Sequence, residues 1–157
     1  MSSNLVTKEK VCAFYASDYH FEMITLPCVY KNLEEKRDVI ILTENNLKET
    51  IKVLLSKMNF NEDKKKQIMN LDWENDDLKK FRKIKYNLEN DIETTIFVKG
   101  NENYIKNANL NLEKWEKDRK DFKVIDCYNI EEVADKVDEL MKSYNKILKT
   151  SGETDIS

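Results

Sequence analysis

Residues 11–21 read Val11-Cys-Ala-Phe-Tyr-Ala-Ser-Asp-Tyr-His-Phe21, and they indicate the architecture more clearly than any other segment. The first six are apolar or aromatic, which is typical of a strand buried on both faces of a parallel sheet. Ser17 or Asp18 then fits the N-cap of a helix. A strand that runs directly into a helix is where many α/β proteins hold a phosphate. No glycine or lysine lies here to hold one, so the segment predicts the scaffold without its usual chemistry.

Strand and helix patterns alternate along the rest of the chain. β-branched and apolar runs predict strands, of which Asp38 to Thr43 is the clearest. Apolar residues at helical spacing predict helices, and Pro27 is expected to kink or divide the first one. The predicted strands are 11–16, 38–43, 67–73, 94–98 and 122–127. The predicted helices are 17–36, 47–58, 75–87, 101–115 and 130–148.

This alternation predicts the fold class. Strands joined by helices of this length need crossover connections, which give a parallel sheet with helices on both faces. We therefore expect an α/β protein, a three-layer α/β/α sandwich with a mostly parallel sheet of four or five strands, RecA-like or flavodoxin-like. Residues 1–149 are expected to form a single domain. Residues 150–157 have too little apolar content to pack, and we expect a disordered tail there.

Composition and charge exclude several classes of partner. The chain has 157 residues, 40% of them hydrophobic, which suits one compact core. The charged residues nearly balance, with a net charge of -3, so neither nucleic acid nor a membrane surface is an expected partner. The run Lys64-Lys65-Lys66 is interpreted as a solvated helix face. No apolar run reaches the length of a membrane span, and the first ten residues contain no apolar core typical of a secretion signal.

Three cysteines, Cys12, Cys28 and Cys127, lie far apart in the sequence. Their odd number and the absence of Cys-x-x-Cys spacing argue against a disulfide framework or a metal site. Free thiols of this kind are typical of a reducing, cytoplasmic location. Cys12 and Cys127 fall within apolar runs, where a thiol usually behaves as a small buried hydrophobe. We expect neither a metal nor a cofactor.

Ligands of such folds bind at the carboxyl edge of the sheet, so polar and aromatic residues that follow the predicted strands are the candidate site. Lys99 falls at the same edge. Ser17 can also be explained as a helix cap and His20 as a surface residue, while Glu44 and Asp126 would form a carboxylate pair if the fold brought them together. The candidate ligand-binding residues are Tyr15, Ser17, Asp18, His20, Thr43, Glu44, Asn45, Gly100, Asn101, Asp126 and Tyr128.

A family resemblance extends from about residue 9 to 148. The segments that carry it are Val11-Cys-Ala-Phe-Tyr, Leu26-Pro-Cys-Val-Tyr-Lys-Asn-Leu33, Val39-Ile-Ile-Leu-Thr-Glu44, Leu71-Asp-Trp-Glu74 and Val124-Ile-Asp-Cys-Tyr128. In this order they resemble the MEDS domain family (methanogen/methylotroph, DcmR sensory domain). Lys10 stands where the family usually has histidine, and Asn32 stands where it usually has glycine.

The resemblance implies a degenerate relative of the RecA and KaiC ATPase fold, and therefore sensing and signal transduction rather than chemistry. The phosphate-loop pattern Gly-x-x-x-x-Gly-Lys-Ser/Thr is missing throughout, so ATP hydrolysis by the usual route is not expected. No helix-turn-helix segment or basic face is present, so a regulatory protein of this kind is expected to act through a partner protein.

Three functional hypotheses follow. The leading one is a non-catalytic cytoplasmic sensory or regulatory domain that binds a small ligand or a partner protein at the carboxyl edge. The second is a small enzyme that uses Ser17, His20, Glu44 or Asp126. The third is a protein-interaction adaptor without a small ligand. A buried, perturbed acid or base in a polar pocket would favour the enzyme, and an exposed apolar patch would favour the adaptor.

Overall fold

The computed structural model describes residues 9–116 and 122–156, and within them six strands form one sheet. Apolar and β-branched residues dominate the central strands, which suits burial on both faces. The strands are β1 (Val11–Tyr15), β2 (Asp38–Thr43), β3 (Thr94–Gly100), β4 (Phe122–Asn129), β5 (Lys146–Lys149) and β6 (Gly152–Asp155).

The helices lie between these strands. A 3-10 turn at Ala134–Lys136 separates the last two. The helices are α1 (Asp18–Glu34), α2 (Lys48–Lys57), α3 (Glu62–Met69), α4 (Asp77–Glu89), α5 (Glu102–Glu116), α6 (Ile130–Val133) and α7 (Val137–Met141).

The strand order is β2-β3-β4-β1-β5-β6, and every neighbouring pair is parallel except β5 with β6. The α/β class and the three-layer, mostly parallel architecture predicted from the sequence are confirmed. The sheet has six described strands instead of four or five, because the C-terminal hairpin adds two. In flavodoxin-like sheets the first strand lies between the second and the third, whereas β1 here lies between β4 and β5.

Two apolar clusters fill the space between the sheet and its helices. On the first face, alternate strand residues such as Ala13 and Ile41 pack against α1, α2 and α3. On the second face, the other alternate residues, such as Ile40 and Val98, pack against α4, α5 and the short C-terminal helices. The connection from β2 to β3 therefore begins on one face and returns along the other, around β2 at the edge of the sheet.

The start and course of α1 follow the sequence closely. Ser17 has an extended backbone and its side chain accepts a hydrogen bond from the backbone N–H of His20, so it is the N-cap. The helix is one continuous element across Pro27, so the division that was one of the two expected outcomes does not occur. Its buried residues lie on more than one side of the helix, because α1 packs against the sheet and also against α2 and α3.

Two predicted elements are wrong. The segment 67–73 was expected to be a strand, but α3 continues to Met69 and a loop follows. Trp73 anchors that loop: it is buried, and its indole N–H donates to the carbonyl of Ile68 at 2.7 Å. The long helix expected over 130–148 is replaced by α6, the 3-10 turn, α7 and β5.

The C-terminal residues differ from the expected disordered tail. Gly152–Asp155 forms β6, antiparallel to β5, with Gly152 at a φ of 115° in the turn. Ile156 then packs against the second apolar cluster. The hairpin and this apolar contact provide an order that the polar composition of the segment does not suggest.

One buried lysine holds the edge strand. Lys80 of α4 is 3% exposed, and its ammonium donates to the carbonyl of Ile41 in β2 at 2.6 Å and to the carbonyl of Glu74. Burial lowers the pKa of this lysine, while Asp72, at 3.9 Å, opposes that effect. The ammonium thus connects the loop before α4 to the middle of β2.

Candidate functional site

Three polar side chains, those of Lys99, Asp18 and Asn45, contact one another where β1, β2 and β3 end. The Lys99 ammonium lies 2.8 Å from Asp18 Oδ1 and donates to Asn45 Oδ1 at 2.8 Å. Asn45 in turn donates from Nδ2 to Asp18 Oδ2 at 2.8 Å. Thr43 supports the asparagine by donating to its backbone carbonyl, also at 2.8 Å. Each member therefore has two partners within the network.

Lys99 is the residue that the sequence analysis undervalued. It is 3% exposed, and its ammonium lies 4.8 Å from the centre of the Tyr15 ring and 5.5 Å from that of Phe21. The β1–α1 junction, which contains no lysine of its own, thus receives one from β3. A lysine directly after the apolar run Ile96-Phe-Val98 was the available indication, since a buried lysine is almost always paired.

The Asp18 carboxylate occupies the start of α1. It belongs to the first helical turn, where the partial positive charge of the helix favours an anion. Other α/β proteins place a phosphate at such a junction. Here the chain provides both the anion, Asp18, and the cation, Lys99.

A carboxylate of the chain also occupies the N-terminus of α5. Glu44, from the loop after β2, accepts a hydrogen bond from the backbone N–H of Asn101 at 2.6 Å. Asn101 caps the helix by accepting from the backbone N–H of Tyr104. A Cβ atom at Gly100 would lie 2.6 Å from Glu44 Oε1 and 2.5 Å from Tyr104 Cδ2, so only glycine allows this approach. Carboxylates of the chain therefore occupy two helix N-termini at this edge.

Ser17 and His20 hold the β1–α1 junction together. The Ser17 hydroxyl oxygen accepts from the His20 backbone, and His20 Nδ1 accepts from the backbone N–H of Ala16 at 2.8 Å. The imidazole proton is consequently on Nε2 when the ring is neutral. Ser17 serves as the cap of the helix. The two side chains are not placed as a serine nucleophile with a histidine base.

Glu22 is a buried acid that the sequence analysis missed. It lies one turn after Asp18 in α1, is 0% exposed, and accepts a hydrogen bond from the Thr50 hydroxyl at Oε2, while Oε1 has no partner among the described residues. Burial raises its pKa to about 7, with Asp18 adding to the rise, and with Thr50 and Lys99 opposing it. A glutamate beside Phe21 in a broadly buried helix gives little sequence indication of this placement.

Asp126 and Tyr128 lie apart from the other candidates. Both point to the second face of the sheet, beside α5 and the segment before β5. Asp126 accepts from Tyr144 at 2.7 Å and from Asn109 at 2.9 Å, and the Tyr128 and Tyr144 hydroxyl oxygens are 2.6 Å apart. Glu44 and Asp126 therefore belong to separate networks and do not form the expected carboxylate pair.

The described cysteines are free thiols. Cys12 and Cys127 are buried, as expected, and Cys28 is partly buried. Burial is the largest effect on each thiol, and it raises the pKa of Cys12 to about 12 and that of Cys28 to about 11. Neither thiol is activated as a nucleophile.

The described residues contain no cluster of histidine, cysteine, aspartate or glutamate suited to a metal ion. Within the same residues, no helix combines the length and apolar character that crossing a bilayer requires.

Fold and site together define a three-layer α/β protein whose carboxyl edge is occupied by its own ion-paired and hydrogen-bonded side chains. Comparisons with family models, with curated proteins and with solved structures found no match to this chain.

Proposed function

We propose that this chain is a non-catalytic sensory or regulatory domain that binds a small ligand at the carboxyl edge of its sheet. The observation that carries the proposal is the network of Lys99, Asp18 and Asn45, in which three strand ends meet around one ion pair. A ligand that contacts the partly exposed Asp18 or Asn45 changes the partners of a buried lysine. Binding at the surface is thereby coupled to the interior of the sheet.

The same geometry argues against phosphoryl transfer. A phosphate at either helix N-terminus would have to displace Asp18 or Glu44, and each carboxylate would repel it. Glu22 is the buried, perturbed acid that would favour an enzyme, but at 0% exposure it cannot contact a substrate. A catalytic role for it would require α1 to move.

The family resemblance supports the sensory part of the proposal. Members of the MEDS family combine a RecA-like scaffold with a missing phosphate loop, and this chain has a three-layer parallel sheet whose first junction holds a carboxylate. We extend the proposal to signal transduction through a partner protein in the cytoplasm.

A protein partner is the second candidate occupant of this edge. Tyr19 is 47% exposed and Met23 is 36% exposed, and they lie four residues apart on α1, on one side of the helix. Exposed aromatic and methionine side chains are enriched in protein interfaces. The partner would then contact α1 beside the Asp18 network.

A thermal-shift screen with nucleotides and common metabolites tests ligand binding. A compound at a hundred times its dissociation constant should add about 2.7 kcal/mol to the free energy of unfolding. The stabilisation should diminish in Asn45→Ala, which disconnects Asp18 from its amide partner, and persist in Asn111→Ala, an exposed position near the other end of α5. If no compound stabilises the protein, the small-ligand proposal fails and the α1 interface is the remaining candidate.

The screen also distinguishes the enzyme hypothesis. A shift that requires a nucleotide and disappears in both Ser17→Ala and His20→Ala would indicate an active site at the β1–α1 junction. That outcome would contradict the non-catalytic proposal.

A further inference from the structure

The outward side of α4 combines apolar side chains with positive charge. Leu78 is 67% exposed and Tyr86 is 61% exposed, the two highest values for large hydrophobic side chains among the residues that the structure describes. Arg82 lies midway between them, so the three share one side of the helix, opposite the buried Ile84. We call this side, with its flanking lysines, the basic surface. Its exposed cations are Lys79, Arg82, Lys83 and Lys85.

Most of the charge on the basic surface is not neutralised within the described part of the chain. Lys83 lies 3.6 Å from Asp38, whereas the other three cations form no ion pair with any residue that the structure describes. The first exposed acid after them is Glu89, at the end of the helix. Aromatic and arginine side chains are enriched in protein interfaces, and positive charge selects an acidic partner. The outward side of α4 is therefore suited to contact an acidic protein surface.

A surface of the opposite sign lies on the same face of the sheet. The segment made of α6, the 3-10 turn and α7 packs on the second apolar cluster through Val133, Val137 and Leu140. Its one lysine, Lys136, already contacts Glu102 of α5 at 2.5 Å. We call the outward side of this segment the acidic surface. Its exposed acids are Glu131, Glu132, Asp135, Asp138 and Glu139.

The order of the helices places the two surfaces on either side of α5. Helix α4 contacts β2, α5 contacts β3 and β4, and the α6–α7 segment connects β4 to β5 across β1. All three end beside the start of a parallel strand, so they run in the same direction across this face. A two-fold axis parallel to α5 would therefore place each basic surface on the acidic surface of a second copy. The same axis would bring the outward side of α5, where Leu110 is 52% exposed, against its own copy.

We propose that two copies of this chain associate face to face through α4, α5 and the α6–α7 segment. The dimer contains two identical contacts, each between a basic surface and an acidic surface. The other two-fold arrangement of this face sets α4 against α4, and like charges there repel. The charge pairs fix the register of the dimer, and Leu78, Tyr86 and Leu110 supply apolar area. The dimer is independent of the ligand site proposed at the carboxyl edge.

A cavity of about 400 Å³ lies within this interface, between α5 and the segment before β5. Leu110 contributes to its wall, and exposed side chains of both signs line it, among them Lys10, Lys106 and Glu113. Mixed charge favours neither a cation nor an anion, so a neutral side chain that can donate and accept hydrogen bonds is suited to it. Tyr86 lies in the last turn of α4, and the two-fold axis directs it towards this cavity in the other copy.

Sedimentation velocity of the whole chain measures the association. We expect a concentration-dependent dimer at low salt. Its dissociation constant should rise at least tenfold between about 0.05 M and about 0.5 M salt, because salt screens exposed charges. Tyr86→Ser should raise it at least about fivefold, as expected for an aromatic side chain that is buried in an interface.

Charge reversal tests which surfaces meet. One variant carries Lys79→Glu with Arg82→Glu, and the other carries Asp135→Lys with Glu139→Lys. Each variant alone should be monomeric, because its two surfaces then have the same sign. An equimolar mixture should form a dimer again, because both contacts then join opposite charges.

A matched control separates this pairing from net charge. Lys52→Glu with Lys57→Glu changes two exposed lysines of α2, on the first face of the sheet, and gives the same net charge as the α4 variant. This control should dimerise as the parent chain does, and it should not form a dimer with the Asp135→Lys, Glu139→Lys variant. All substituted charges are exposed, and thermal melts verify that each variant is folded.

Three results overturn the proposal. The first is a parent chain that stays monomeric at about 1 mM in low salt, which would leave an acidic partner other than this chain as the candidate for α4. The second is a dimer that persists in both charge-reversed variants, which would mean that another face associates. The third is a mixture of the two folded variants that remains monomeric. The ligand site at the carboxyl edge is tested separately by the thermal-shift screen, so either proposal can fail without the other.

Discussion

Glu22 should make the stability of this protein decrease as the pH rises from about 4.5 to about 7. Its carboxyl has an ordinary pKa of 4.5, and burial raises it to about 7 in the folded chain. Between these values the folded protein keeps a proton that the unfolded chain has lost. The free energy of unfolding therefore falls with rising pH across this window, and the full cost of the buried charge is present above about pH 7.

The magnitude follows from the two pKa values. At about 1.4 kcal/mol for each pKa unit, the change from 4.5 to about 7 corresponds to about 3 kcal/mol. Glu22→Gln removes the charge and keeps the shape of the side chain, and the Thr50 hydroxyl can still bond to the amide. Relative to the parent chain, the variant should be similar at about pH 5 and up to about 3 kcal/mol more stable at about pH 8.

Urea unfolding of both proteins at the two pH values measures this difference. Other groups titrate in both proteins, so their contributions cancel when the two pH dependences are subtracted. Glu49→Gln, at an exposed glutamate of α2, is the matched control and should follow the parent chain. Parallel curves for Glu22→Gln and the parent would refute the reasoning, because they would mean that Glu22 has the same pKa in both states.

Three further changes should have measurable effects on stability. Ser17→Ala removes the N-cap of α1 and should lower the free energy of unfolding by about 1 kcal/mol, measured by chemical denaturation. The control Ser56→Ala, at an exposed position, should lower it by less. Gly100→Ala places a Cβ against Glu44 and Tyr104 and should cost about 1–3 kcal/mol; an unchanged melting temperature would show that this approach is not tight. Deletion of residues 150–157 removes β6 and should lower the melting temperature by several degrees, about 1–2 kcal/mol, whereas a disordered tail would leave it unchanged.

The elements predicted correctly are those in which one short-range pattern decides the outcome. The apolar run before Ser17 and the β-branched run from Asp38 each fit only a buried strand, and the structure has both. At 130–148 the same apolar spacing fits two different structures. The apolar spacing of Val133, Val137 and Tyr144 suits a helix, but it also suits two short helices followed by a strand that pairs with β1. The pairing of β5 with β1 decides between the two outcomes, and such a tertiary contact cannot be read from a local sequence pattern.

The candidate site divides in the same way. Alternation and strand ends were enough to bring Asp18, Asn45 and Glu44 to one edge, because the carboxyl ends of parallel strands meet there. These patterns did not predict the ion pair of Lys99 with Asp18, which lies 81 positions earlier in the sequence. They also did not predict that Asp126 lies on the other face of the sheet. Those contacts depend on side-chain direction and on strand order, and neither is fixed by composition.

Lys80 has a consequence for how this sheet can associate. Asp38 and Glu44 direct their backbone N–H groups towards β3 and its flanking residue, so the odd-numbered residues of β2 face outwards at the edge. The Ile41 carbonyl is one of these outward groups, and the Lys80 ammonium already occupies it. Addition of a strand from another chain would have to break this contact and leave a buried charge without its partner. Charged side chains directed inward at a sheet edge are a known protection against such pairing. Growth of the sheet by edge-to-edge pairing is therefore disfavoured at β2, and the opposite edge, the four-residue β6, offers only a short template.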